Sequence, residues 1–198
     1  MSHVRRLPQY ALACLGVASW FAHADPEVNV ERRHGVFQVS AEAPAAVDAR
    51  IAWQVLTDYD RLAEFVPDLR VSRIISVPGQ PLLLEQKGEA GFLLFSISIE
   101  VVLQLDETRP ERLGFRAVSG NMKQMRGEWR ISRADQGIRL SYAAQIEPDF
   151  WVPPLIGAAL MRRDIGKQIA GVVREMLRRH AAGDDDETLR NDHDRSAK

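Results

Sequence analysis

Two alternating stretches decide the fold, Phe95-Ser-Ile-Ser-Ile-Glu-Val-Val-Leu-Gln-Leu105 and Ile138-Arg-Leu-Ser-Tyr-Ala-Ala-Gln-Ile146. In the first stretch the apolar residues stand at odd positions, and in the second they stand at even positions. A period of two is typical of a β-strand that buries one face and leaves the other in water. Both stretches therefore predict strands of a sheet with one dry face.

Directly after Pro153-Pro154 the pattern changes to that of one long helix, which we expect to run to about His180. Its apolar residues recur at intervals of three and four and form one stripe, with charged residues on the opposite side. Strands followed by such a helix predict an α+β domain in which a curved antiparallel sheet wraps round the helix. The stripe consists of Ala158, Met161, Ile165, Ile169, Val172 and Met176, and the opposite side carries Arg163, Lys167, Arg174 and Arg178.

The remaining elements follow from turn residues and periodicity. We expect one strand over Val28–Ser40, with a turn at Gly35, and then two short helices. The first helix starts near Pro44 and ends near Asp58, and the second is stopped by Pro67. Glycine, proline and asparagine punctuate the later turns, including one at Ala90-Gly91. The strands expected after the helices cover residues 70–77, 82–90, 92–105, 113–119, 122–133 and 138–147.

The first 24 residues have the pattern of a signal peptide. Arg5 and Arg6 supply positive charge, Tyr10–Phe21 supplies a short apolar stretch, and Ala22-His23-Ala24 supplies a small-x-small cleavage site. The apolar stretch is shorter than the about 20 residues that a bilayer-spanning helix needs. We therefore expect an exported, periplasmic protein. A buried N-terminal helix, a twin-arginine signal and a lipoprotein signal ending at Cys14 remain as alternatives.

Cleavage after Ala24 would leave 174 residues, which fits one ligand-binding domain over residues 25–180 and an acidic tail over 181–198. We expect that tail to be disordered. Cleavage would also remove Cys14, the only cysteine, so neither a disulfide nor thiolate chemistry is expected. Residues 25–180 carry 21 basic and 21 acidic side chains, and this balance gives no support for nucleic-acid binding.

Motifs for catalysis, metals and cofactors are scarce. The sequence has no nucleophile elbow, no phosphate-binding glycine loop and no dinucleotide fingerprint, so we assign no catalytic residue and expect no cofactor. Asp58, Asp60 and Asp68 are clustered, and paired carboxylates can do acid–base work. Capping and termination of the two short helices is the favoured interpretation of these carboxylates. A shared metal site is not expected, because the histidines that follow the predicted cleavage site are scattered at His34, His180 and His193.

The segment Ala52-Trp-Gln-Val-Leu-Thr-Asp-Tyr-Asp-Arg-Leu-Ala-Glu-Phe-Val-Pro-Asp68 resembles the helix-loop-helix signature of the START-like superfamily, also called SRPBCC. This superfamily includes polyketide cyclase/dehydrase, lipid-transport and coenzyme-Q-binding proteins. Gly127-Glu-Trp-Arg-Ile131 is similar to the family's strand with Gly-x-Trp, and Pro153-Pro154-Leu155 is similar to the lead into its last helix. The resemblance covers roughly residues 37–179. It implies a helix-grip fold, with two short helices after the first strand and a long C-terminal helix.

Pattern and resemblance agree on which residues face the space between sheet and helix. A curved sheet does not close tightly on one helix, so this space tends to remain as an apolar cavity that binds small ligands. The sequence leaves open whether side chains or a ligand fill it. Gln86 and Tyr142 are polar groups on apolar faces, suited either to anchor a ligand or to meet a buried partner. The predicted ligand-binding residues are Gln86, Phe95, Ile97, Ile99, Phe115, Ala117, Trp129, Leu140, Tyr142, Met161, Ile165 and Ile169.

We therefore expect a protein that carries or senses a small hydrophobic ligand, such as a lipid, a quinone or a polycyclic compound, without catalysis. Its other expected partner is a membrane, through transient contact, and its oligomeric state is left open. The alternative is a cyclase/dehydrase-type enzyme in which Tyr142 or Gln86 orients a polyketide-like substrate. Export favours the carrier, because polyketide intermediates ride on cytoplasmic carriers. A third hypothesis is an interaction module with a fully packed interior.

Overall fold

The computed structural model describes residues 25–92, 95–153 and 156–196. Within these ranges the chain forms one eight-stranded antiparallel sheet, three α-helices and a short 3-10 turn. None of the helices in the described ranges is both long enough and apolar enough to span a bilayer. The predicted signal peptide, residues 1–24, lies outside the described residues.

In the sheet the second strand lies beside the last one, and the first strand lies beside the second, at the edge. The order is β1-β2-β8-β7-β6-β5-β4-β3, so the chain crosses from one edge of the sheet to the other between β2 and β3. The helices α1 (Ala49–Leu56) and α2 (Leu62–Phe65), with the 3-10 turn Tyr59–Arg61 between them, make this crossing, and α3 (Gly157–Ser196) follows the last strand. The strands are β1 (Glu27–Arg33), β2 (Val36–Ala45), β3 (Leu69–Ile74), β4 (Leu83–Phe92), β5 (Phe95–Thr108), β6 (Arg112–Gly120), β7 (Met122–Ala134) and β8 (Gly137–Pro148).

The predicted fold class is confirmed: a curved antiparallel sheet holds a long C-terminal helix, with short helices early in the chain. One early boundary is wrong, because the single strand expected over residues 28–40 is a hairpin of β1 and β2. Its turn is formed by His34 and Gly35, which have φ angles of 51° and 88°. Two consecutive residues in this left-handed region are typical of a tight hairpin turn.

The predicted start of the first helix near Pro44 is also wrong. Pro44 lies within β2, at a position where β2 pairs with β8 but where β1 has already ended. Proline is tolerated there because its missing N–H faces no second strand. Asp48 caps α1 instead, and its side-chain oxygen Oδ1 accepts a hydrogen bond from the backbone N–H of Ile51 at 2.9 Å.

The six later strands lie close to their predicted positions, with one turn misplaced. A turn was expected at Ala90-Gly91, but β4 continues to Phe92 and pairs Ala90 with Ile97 of β5. The long helix begins at Gly157 and stays helical to Ser196, well beyond the expected end near His180. Most helical stability comes from packing rather than from backbone propensity. The helical backbone beyond His180 therefore does not test the disorder expected for residues 181–198, which stays a prediction.

The apolar stripe of α3 lies against the sheet as its periodicity predicts. Ile169, Val172 and Met176 are buried, and the side chains on the opposite face, including Lys167 and Arg174, are exposed. Gly171 lets α3 approach the chain just after α2, because a Cβ there would lie 2.6 Å from the carbonyl oxygen of Phe65. The helix therefore rests on α1, α2 and the β1–β2 hairpin, and part of its length spans the inner face of the sheet.

An ion-pair network fixes α3 to the end of α1. Arg179 Nη2 lies 2.6 Å from Asp58 Oδ2, and Arg179 Nε lies 2.7 Å from Glu175 Oε1. Arg178 Nε lies 2.7 Å from the other oxygen of Glu175, whose side chain is only 8% exposed. Hydrogen bonds from Arg178 and then Arg179 lower the pKa of Glu175 to about 2, against the opposing effect of burial. Glu175 is therefore ionised across the physiological pH range.

The capping roles expected for Asp58 and Asp60 are wrong. Asp58 precedes the 3-10 turn, but its side chain makes no capping hydrogen bond and instead pairs with Arg179. Asp60 Oδ1 accepts a hydrogen bond from the backbone N–H of Ile74 at 2.9 Å. Both carboxylates therefore join the short helical segments to distant elements, and neither lies where it can act on a molecule inside the fold.

Candidate functional site

A cavity of about 840 Å³ lies between the inner face of the sheet and the first half of α3. Its walls come mainly from β4 to β8 and from α3, and most of the lining side chains are aliphatic or aromatic. Such a volume falls within the ~300–1,000 Å³ that is typical of small-molecule sites. Kept dry and empty, it would cost about 20 kcal/mol at ~24 cal/mol per Å³, more than the ~5–15 kcal/mol stability of a whole domain. The space must therefore hold water or an apolar ligand.

Most of the predicted binding residues line this cavity. Leu140 does not, because it is 1% exposed and packs into the core, and Ala117 also packs against the core without reaching the cavity. The side chain of Phe95 lies outside the described residues. The binding role of these positions stays a prediction. Those that line the cavity are Gln86, Ile97, Ile99, Phe115, Trp129, Tyr142, Met161, Ile165 and Ile169.

Sequence reasoning missed two parts of the lining. The end of α1 contributes Leu56 and the 3-10 turn after it contributes Tyr59, and the sequence pattern marks neither as a cavity residue. The chain after β8 contributes Phe150, Trp151 and Val152, which have neither strand nor helix periodicity. Their apolar character beside prolines could have indicated that they line the cavity, because an apolar run in a connecting segment needs a partner that buries it.

Tyr142 is the most deeply buried polar side chain in the cavity wall. It is 6% exposed, and its hydroxyl makes no hydrogen bond to any residue in the described ranges. Its ring centroid lies 4.6 Å from that of Trp129 and 5.9 Å from that of Phe115. Burial raises the pKa of the Tyr142 phenol above its ordinary value, so the group is protonated at every physiological pH and offers a hydrogen to the cavity.

Two glutamines add amide groups to the same space. Gln86 comes from β4 and Gln168 from α3, and the side chain of each is half-buried and has no hydrogen bond to another described residue. Tyr59 differs from Tyr142, because its hydroxyl donates to Glu107 Oε1 at 2.6 Å. Burial, followed by this hydrogen bond, raises the pKa of Tyr59. Tyr142, Gln86 and Gln168 are therefore among the lining groups that are free to bind a polar atom of a ligand.

The cavity opens between the paired ends of β4 and β5 and the beginning of α3. Trp151 is 74% exposed and Ile156 is 44% exposed, although both also line the cavity. A guanidinium N–H of Arg163 donates to the carbonyl oxygen of Gly91 and so connects α3 to β4 at this end. The other lining residues that are exposed are Asp68, Glu89, Gly91 and Ser96, and they lie on the same side.

A second depression of about 880 Å³ lies on the outer face of the sheet, and its chemistry is different. Its walls carry charged side chains that mostly satisfy one another, such as Arg112, which pairs with Asp106 and lies 3.7 Å from Glu128. Arg126 donates to Gln145 Oε1 at 2.7 Å. Because these groups already have partners and face water, the inner cavity is the better candidate for a functional site.

Comparison with known proteins agrees with the fold described above. The family model described as polyketide cyclase/dehydrase and lipid transport matches residues 45–173. No curated protein sequence matches the chain.

Solved structures share the fold at low sequence identity. The STAR-related lipid transfer protein of Xanthomonas axonopodis is 10% identical, with a TM-score of 0.58 over 77% of this chain and 99% of that one. The Zhui aromatase/cyclase of Streptomyces sp. R1128 is 14% identical, with a TM-score of 0.57 over 74% of this chain and 94% of that one. A START superfamily protein of Mycobacterium smegmatis is 13% identical, with a TM-score of 0.57 over 73% and 97% of the two chains.

Proposed function

This chain belongs to the polyketide cyclase/dehydrase and lipid transport family, and we propose that it carries or senses a small hydrophobic ligand in its internal cavity without chemical turnover. The observation that carries the proposal is the apolar cavity of about 840 Å³, open at one end. Each methylene group of a ligand buried against such walls contributes ~0.8 kcal/mol. An apolar ligand therefore supplies the free energy that a water-filled cavity lacks.

The lining favours binding over turnover. A cyclase or dehydrase needs an acid or a base held beside its substrate. The carboxylates of Asp68 and Glu89 are exposed at the opening, and Asp164 pairs with Arg163 at 2.8 Å. Tyr59 is bound to Glu107, and the pKa of Tyr142 is raised, so neither phenol is suited to remove a proton at neutral pH. The enzyme remains the second candidate because the family includes it.

We further propose that the carrier works in the periplasm and exchanges its ligand at a membrane. Export is supported by the charged, apolar and small-residue order of residues 1–24. Membrane contact is supported by Trp151 and Ile156, which are exposed beside the opening of the cavity. Tryptophan is favoured at membrane interfaces, where its ring lies among the headgroups. Arg32 lies nearby, and its guanidinium donates to the carbonyl oxygen of Val152 at 3.2 Å, adding positive charge that suits anionic lipids.

An apolar fluorescent probe tests the binding function. We expect N-phenylnaphthylamine to bind the mature protein with an increase in fluorescence, and Ile165→Trp to reduce that increase because the larger ring projects into the cavity from α3. Ile75→Trp is the matched control, since Ile75 is 43% exposed and does not line the cavity. Thermal melting of both variants shows whether the fold is intact. A wild-type protein that takes up no probe, together with an Ile165→Trp variant that unfolds, would mean that the interior is packed core.

A further inference from the structure

The chemistry of the cavity wall restricts its ligand further than apolar character alone. Among the described residues that line the cavity there is no lysine, arginine or histidine. The charged lining residues are Asp68, Glu89 and Asp164, all of them acids. A ligand carboxylate or phosphate drawn into this space would lose its hydration without gaining a cation, and burial of an unpaired charge is strongly unfavourable. A buried cation is not favoured either, because Asp164 is paired with Arg163, while Asp68 and Glu89 are exposed at the opening. The wall therefore favours a neutral ligand.

The Tyr142 hydroxyl adds a second restriction. The Tyr142 side chain is 6% exposed and lines the cavity, and its hydroxyl bonds to no residue in the described part of the chain. A ligand that covers this hydroxyl without accepting its hydrogen would leave a buried donor unpaired, which is destabilising. Its position is also fixed. Tyr142 stands opposite Trp129 in the β7–β8 register, and its ring packs against the rings of Trp129 and Phe115 on the inner face of the sheet. What can satisfy it lies inside the cavity.

From these two observations we infer that the ligand is a neutral apolar molecule bearing a carbonyl or hydroxyl oxygen, which accepts a hydrogen bond from the Tyr142 hydroxyl. This inference rests on the proposed binding function and adds the chemical class of the ligand. Ketones and alcohols with a large apolar body fit both restrictions. Plain hydrocarbons leave Tyr142 unpaired, and fatty acids or other anions meet a wall without cations. Gln86 and Gln168 provide places for a second polar atom on the same molecule.

Three probes of the same shape separate these restrictions. Anthracene, 2-acetylanthracene and anthracene-2-carboxylate share one fluorescent ring system and differ in a single substituent. Titrated into the wild-type protein at neutral pH, the ketone should bind about tenfold more tightly than anthracene, as expected for one neutral hydrogen bond. The carboxylate should bind at least about tenfold more weakly than the ketone, because of its buried charge.

Two tyrosine variants assign the effect to one hydroxyl. In Tyr142→Phe, the preference for the ketone over anthracene should be lost, and anthracene should bind at least as tightly as it binds to wild type, because it no longer leaves a hydroxyl unpaired. Tyr59→Phe is the matched control, because Tyr59 also lines the cavity but its hydroxyl is bound to Glu107. In that variant the preference for the ketone should persist.

The outcomes distinguish this inference from the function on which it rests. If anthracene itself does not bind, the binding function fails. If anthracene binds but the ketone gains nothing, or if its gain survives in Tyr142→Phe, the inference fails while the carrier remains. Equal affinity of the carboxylate and the ketone would refute the restriction on charge. Should Tyr142→Phe not fold, the infrared carbonyl stretch of 2-acetylanthracene bound to the wild type decides, since a hydrogen bond from Tyr142 requires a shift to lower frequency.

Discussion

Replacing Glu175 by Gln should reveal how much stability comes from the buried carboxylate that holds Arg179 for its ion pair with Asp58. Glu175 receives three hydrogen bonds of 2.7 Å from the guanidinium groups of Arg178 and Arg179. Its pKa is lowered to about 2 in the folded protein, against an ordinary value of ~4.3 in an unfolded chain. At ~1.4 kcal/mol for each pKa unit, and with allowance for solvent screening of the exposed Arg178, the ionised group contributes about 2 kcal/mol.

The sign of the effect follows from the lowered pKa. A carboxylate whose folded pKa lies below its unfolded pKa stabilises the protein above the unfolded value and loses that contribution as pH falls toward the folded value. Urea unfolding at a series of pH values should therefore show Glu175→Gln to be less stable than wild type at pH ~7, with the difference shrinking between pH ~5 and ~2.

A matched control isolates the network from a general charge effect. Glu42 also pairs with an arginine, Arg139, at 2.9 Å, but its side chain is 55% exposed. Exposed pairs contribute little, so Glu42→Gln should change the unfolding free energy by less than ~1 kcal/mol at any pH. A Glu175→Gln difference that does not change with pH, or one no larger than that of Glu42→Gln, would refute the role given to the ionised network.

Three further variants test the packing, the opening and a cap. Gly171→Ala should lower the unfolding free energy by ~1–3 kcal/mol, because its Cβ would lie 2.6 Å from a backbone oxygen. Gly166→Ala should be neutral or stabilising, because its Cβ would meet its nearest atom at 3.7 Å. Thermal melting that ranks the two variants the other way would contradict the close approach of α3. Trp151→Ala should reduce sedimentation with anionic phospholipid vesicles, while Val77→Ala, which changes another highly exposed apolar residue outside the cavity, should not. Equal effects would argue against contact at the opening. Asp48→Ala should cost about 1 kcal/mol in urea unfolding through loss of the α1 cap, and no change would mean that the hydrogen bond to Ile51 does not stabilise the helix.

The sequence predicts the elements whose periodicity is set by burial on one face. The alternation over residues 138–146 places Leu140 and Tyr142 on the inner face of β8, and both are buried there. It cannot say that Tyr142 lines the cavity while Leu140 does not. That difference depends on how the helices pack against the inner face of the sheet, and these tertiary contacts have no local signal in the sequence.

The predictions that proved wrong concern residues whose structure depends on partners far away in the sequence, or on a turn without a standard sequence signal. Asp58 resembles a helix cap in sequence, but its partner Arg179 lies far along the chain and becomes its neighbour only after α3 has packed. Pro44 resembles a helix start, and it is tolerated in β2 only because β1 ends before it. The hairpin turn at His34-Gly35 lacks the usual Asn-Gly signal, so periodicity alone predicts one strand where the structure has β1 and β2.

The most direct test of the carrier function is native mass spectrometry of the protein purified from its own cell envelope, followed by extraction of any bound compound. We expect the mature chain, cleaved after Ala24, to carry one small neutral oxygenated hydrophobic molecule, and Ile165→Trp to carry less of it. A protein found without any bound molecule, and unable to take up N-phenylnaphthylamine or anthracene when these are added, would contradict the proposal that its cavity binds a hydrophobic ligand.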